Sequence, residues 1–108
     1  MPIYNKLVRD RIPEVIEKTG KELSSRILEE KEYEIELKKK LSEELAEYKE
    51  AKTNEEAVEE LADILELLYA ATKIHGSSFE GLEKIRRAKA EKRGGFEKRI
   101  FLIEVEDD

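Results

Sequence analysis

Between residues 33 and 48 the large apolar side chains Tyr33, Leu37, Leu41, Leu45 and Tyr48 recur every three or four positions. That spacing places them on one stripe and predicts a long helix over residues 29–52. Thr53 reads as the N-cap of a second long helix, with Glu56 completing a capping box, and Gly76 ends that helix just beyond His75. The connection is short, so the two long helices are expected to lie antiparallel and side by side. A short helix over residues 12–19 precedes them. It has Pro13 in its first turn, Ile12, Val15 and Ile16 as its buried positions, and Gly20 as its C-terminal cap. Ser77 with Glu80 marks a fourth start, and the helix that follows carries Phe79, Leu82 and Ile85 to about residue 92, where Gly94-Gly95 breaks it. Residues 21–28 fit either a strand or irregular structure, and the apolar run over 99–105 reads as a strand. The expected architecture is one all-α domain over residues 1–108: an antiparallel long-helix pair, two shorter helices and a small C-terminal strand.

The helix predicted over 53–75 is unlike an ordinary surface helix. Between Lys52 and Lys73 it holds Glu55, Glu56, Glu59, Glu60, Asp63 and Glu66 and no basic residue. Those six of the 27 acidic residues account for the whole excess over the 21 Lys and Arg, so the net charge of −6 resides in this segment. A stabilising surface helix interleaves opposite charges at i+4. Yet from Leu61 to Ala71 the same helix is apolar nearly all round, which implies packing on several sides. An ionised, unpaired carboxylate there, such as that of Asp63, costs several kcal/mol; it must neutralise, find a cation or escape to solvent. A helix this apolar also needs more cover than two short helices provide. A second copy of the long pair would complete a four-helix bundle, so a homo-oligomer, a dimer or higher, is expected.

Residues three apart share a helix face, so Glu60 and Asp63 point the same way. In the preceding helix Glu43-Glu44-Leu45-Ala46-Glu47 interrupts the apolar stripe and makes Glu44 and Glu47 a second such pair. On facing helices the two pairs bring four carboxylates into a small volume, which requires multivalent cations. Oxygen ligands completed by water and phosphate describe magnesium, with manganese as a substitute, better than zinc or copper. Magnesium in turn implies phosphate chemistry. Glu43, a spare carboxylate beside the pairs, is the candidate to orient the attacking water or accept its proton, with Glu44 the other catalytic candidate.

Composition narrows the chemistry further. There is no cysteine, which excludes disulfides, thiolate catalysis and Cys-ligated metals, and any metal must take oxygen ligands or the single His75. The 44% of charged residues, with no Trp, suits a thermophile, in which a Glu- and Lys-laden surface is ordinary. No apolar run approaches a membrane span or a secretion signal, so a cytoplasmic protein with no membrane partner is expected. Two basic clusters are available for phosphate: Lys6, Arg9 and Arg11, and Arg86, Arg87, Lys89, Lys92, Arg93, Lys98 and Arg99. Nucleic acid is not the expected partner, since the net charge is negative and no known binding motif is present.

Glu43-Glu44-x-x-Glu47 followed after twelve residues by Glu60-x-x-Asp63 resembles the signature of the all-α nucleotide pyrophosphohydrolases, which include MazG proteins and phosphoribosyl-ATP pyrophosphohydrolase. Tyr4-Asn5-Lys6-Leu7-Val8-Arg9-Asp10-Arg11-Ile12-Pro13 and Arg93-Gly94-Gly95-Phe96 are similar to motifs of a MazG-like, phosphoribosyl-ATP pyrophosphohydrolase-like subgroup, and Ala62 stands where many MazG sequences have glycine. The resemblance implies magnesium-dependent cleavage between the α and β phosphates of a nucleoside triphosphate, in a housecleaning role, with phosphoribosyl-ATP hydrolysis as the alternative. It implies Glu44, Glu47, Glu60 and Asp63 as metal ligands and Lys6, Arg9, Lys92 and Arg93 as phosphate contacts. It also implies assembly at least as a dimer, with the active site near the subunit interface. A non-catalytic helical interaction protein is the competing reading, for which the acidic helix is a solvated face. His75 is expected to serve the helix end, Tyr33, Tyr48 and Tyr69 the core or an interface, and Lys38-Lys39-Lys40 a solvated face.

Overall fold

The computed structural model describes residues 2–107 as four α-helices: α1 (Ile12–Lys18), α2 (Glu30–Glu50), α3 (Asn54–Ile74) and α4 (Phe79–Arg93). Local chemistry sets their ends. Thr53 Oγ1 accepts the Glu56 N–H at 3.1 Å, while the Glu56 carboxylate accepts the Lys52 N–H at 3.1 Å, so the start of α3 is clamped from both directions. At α4 the cap is Ser78 and not Ser77, its Oγ accepting the Gly81 N–H at 3.0 Å. Gly76 and Gly94 follow α3 and α4 at φ 74° and 83°, a left-handed turn that a side chain would strain.

The short connection between α2 and α3 folds them into the expected antiparallel pair, which is by far the most extensive helix contact in the chain. Leu37 of α2 is the one buried apolar side chain among the described residues, at 3% exposure. On α3, Ala57, Ile64, Leu67, Leu68 and Ala71 are half-buried. The start of α4 is held on α3 by Phe79, whose ring meets Tyr69 edge-on at a centroid distance of 4.2 Å. α1 packs on no other helix. Its Ile12 and Ile16 are half-buried, but Val15, expected inside, is exposed, because nothing covers that side of so short a helix.

Residues 21–29 are irregular, and the strand expected over 99–105 does not form among the described residues. A strand needs a neighbour for its N–H and C=O groups, and none of the described residues offers an edge. Ile100, Phe101, Leu102 and Ile103 are exposed as a result. The radius of gyration is 18.6 Å, against about 13 Å for a compact chain of this length. A second apolar stripe on α3, Val58, Leu61 and Leu65, lies open to solvent, as do Leu45 and Tyr48 of α2. No helix among the described residues is long and apolar enough to cross a membrane.

Candidate metal centre

The buried stripe of α2 does not follow Leu45 and Tyr48. It runs through Leu37, Lys40, Leu41 and Glu44, so that a carboxylate occupies the position seven residues beyond Leu37, on the same face of the helix. Glu44 is 7% exposed as a result. Glu60 comes up opposite it from α3, in the row of half-buried positions that faces α2, and Glu47 lies one turn along from Glu44. Ligand oxygens of Glu44, Glu47 and Glu60 all lie within 4.8 Å of one another.

Three carboxylates at that separation repel unless protons or cations intervene. Lys40 provides partial relief, with Nζ 3.7 Å from Glu44 Oε1 and 3.8 Å from Glu43 Oε2. Glu44 Oε2 and Glu60 Oε2 are nevertheless out of solvent and without a hydrogen-bond partner. Glu60 responds by holding its proton: Glu44, loss of hydration and then Glu47 push its carboxyl up from 4.5 to about 7. Two orphaned oxygens on facing helices, beside a third carboxylate, fit a hard divalent ion, since such an ion takes up the lone pairs that no donor in the chain meets.

Of the four expected ligands the structure brings three together and turns the fourth elsewhere. Asp63, one turn beyond Glu60, accepts a hydrogen bond from Arg9 Nη2 to Oδ1 at 2.6 Å. The cation that Asp63 requires thus comes from the N-terminal segment. Lys6 from the same segment reaches Glu43 Oε1 at 3.9 Å, so Glu43 stands at the rim between two lysines, outside the trio. Lys6 and Arg9 thus pair with Glu43 and Asp63, the two acidic residues that flank the trio. Lys92 and Arg93 occupy the exposed last turn of α4, and no hydrogen bond or ion pair among the described residues joins them to the trio.

Lys40 was expected on a solvated face and instead is half-buried against two glutamates. Its spacing of three and four residues from Glu43 and Glu44 is the signal that identifies it. His75 is the exposed C-cap of α3 and lies outside the site. No family model matches the chain, and neither a curated protein nor a solved structure matches it.

Proposed function

We propose that the chain is a magnesium-dependent nucleotide pyrophosphohydrolase of the all-α class that MazG proteins exemplify. The observation that carries this reading is the convergence of Glu44, Glu47 and Glu60 with two buried oxygens lacking any donor. Their role is to hold the ion, which Asp63 and manganese-tolerant oxygen ligation would complete. Magnesium, when bound, neutralises phosphate oxygens and raises the acidity of a water molecule. Glu43, at the rim, orients the water and accepts its proton. Lys6 and Arg9 meet the phosphates from the N-terminal segment. Water adds to phosphorus, the α–β anhydride breaks, and a monophosphate and pyrophosphate leave. A (deoxy)nucleoside triphosphate is the preferred substrate, with phosphoribosyl-ATP as the alternative within the same chemistry.

Assembly belongs to the same reading. Val58, Leu61 and Leu65 on α3 with Leu45 and Tyr48 on α2 leave one apolar side of the helix pair bare, and a second copy of that pair closes it into a four-helix bundle. Lys92 and Arg93, which stand apart from the trio in their own chain, are then available to the neighbouring one. The same bare surface is what a non-catalytic helical interaction protein would present, but such a protein has no use for three converging carboxylates.

The decisive experiment measures pyrophosphate release from a panel of nucleotides with magnesium, comparing wild type with Glu44→Gln and Asp63→Asn. Full turnover in both variants removes the assignment. A wild type inert toward every nucleotide, and unshifted in melting temperature by magnesium, leaves the interaction protein.

A further inference from the structure

Two cations of the N-terminal segment sit on acidic residues of both long helices, Lys6 on Glu43 of α2 and Arg9 on Asp63 of α3. Asn5 turns the chain just ahead of them, at φ 44°. The Arg9 contact joins residues 54 apart in sequence and withholds Asp63 from the glutamate trio. Both partners keep much of their solvent contact, 58% for the Arg9 side chain and 40% for that of Asp63, so the pair is of the kind that breaks at little cost. Glu44, in contrast, is buried, with Oε2 unpartnered.

We propose that Arg9 is an exchangeable counter-ion: it occupies Asp63 in the ion-free chain, yields that carboxylate to a divalent ion entering the trio, and then takes a phosphate oxygen of the substrate. The inference rests on the metal reading of Glu44, Glu47 and Glu60. Carboxylate and phosphate are recognised by the same planar guanidinium fork, so the exchange needs only a short movement of one flexible side chain. The order of events follows from charge. With no ion present, Arg9 relieves the repulsion on α3. Once a dication is bound, a guanidinium beside it is repelled, and phosphate brings the negative charge that holds it there. Arg9 thereby opposes ion binding and favours phosphate binding, and so couples the two ligands.

The test is calorimetric titration of the full chain with magnesium chloride, then with inorganic pyrophosphate in the presence of magnesium. Arg9→Gln is expected to bind magnesium up to about fivefold more tightly, the range an exposed ion pair supports, and pyrophosphate about tenfold more weakly. Arg9→Lys keeps the competing charge and is expected to bind magnesium as the wild type does. In an Asp63→Asn background the gain from Arg9→Gln is expected to vanish. Magnesium affinity that is equal or weaker in Arg9→Gln, with binding by the wild type intact, overturns the exchange alone. A wild type that binds no magnesium overturns the metal reading and the exchange with it.

Discussion

Glu44 of α2 and Glu60 of α3 meet across the helix interface, and each keeps one oxygen, Oε2, away from solvent with no donor to satisfy it. Glu44, loss of hydration and Glu47 raise the Glu60 carboxyl to about 7, so below that pH a proton shared by the pair relieves their repulsion.

That proton gives stability a definite pH dependence. The Glu60 carboxyl titrates near 7 in the folded chain against 4.5 for an ordinary glutamate. Between those values the folded state binds more protons than the unfolded one, so stability falls as pH rises from about 4.5 through 7. Urea denaturation with a chelator at intervals from about pH 5 to about pH 8 is expected to show this decline. Glu60→Gln, which mimics the protonated form, is expected to match wild type at the acidic end and to exceed it at the alkaline end. Saturating magnesium is expected to stabilise wild type most where the carboxyl is ionised, and Glu60→Gln far less.

On the proposed reading, loss of a glutamate of the trio is felt in turnover and not in fold. Glu44→Gln, Glu47→Gln and Glu60→Gln are each expected to lower magnesium-dependent pyrophosphate release by about 100-fold or more while leaving helix content unchanged. If Lys92 and Arg93 meet phosphate as proposed, Lys92→Ala and Arg93→Ala are expected to raise KM with a smaller effect on kcat, since such contacts act in ground and transition states alike. Steady-state kinetics with circular dichroism on the same preparations decides both points.

The bare stripe on α3 predicts the mass in solution. Light scattering on the eluting wild type is expected to give at least twice the 12.6 kDa of one chain. Leu65→Glu places a charge in the middle of that stripe and is expected to shift the mass toward a single chain, with loss of melting temperature. An unaltered mass would show that the stripe is not the contact.

The start of α3 fixes where Glu60 stands, and Thr53 fixes the start of α3. Thr53→Ala removes the acceptor for the Glu56 N–H and is expected to cost about 1 kcal/mol. Thermal unfolding is expected to show a drop of about 4 °C, and Thr53→Ser is expected to recover most of it.

The sites where helices begin and end were legible because each depends on a few adjacent residues: Thr53 with Glu56, Gly76, and Gly94. Ser78 displaced Ser77 as a cap, since adjacent serines offer the same chemistry and only backbone geometry chooses between them. The i,i+3 spacing on two antiparallel helices points to two pairs, Glu44/Glu47 and Glu60/Asp63, of which the structure gathers three members and leaves Asp63 on Arg9. The burial of Glu44 was not, because Leu45 and Tyr48 continue the apolar stripe equally well and the crossing of α2 with α3 decides which side turns inward. The apolar neighbours of Asp63 show that it needs a cation, but no local pattern points to Arg9 from so far along the chain. The C-terminal run has the composition of a strand and lacks an edge to join, a property of the whole fold.

A chain in which Leu37 is the one buried apolar side chain, among the described residues, gains little apolar burial by folding in isolation. In the assembly proposed above, most of the remaining gain comes from meeting another copy, and folding becomes a second-order event. The population of folded protein is then set by how much of it is present, and dilution acts as a denaturant.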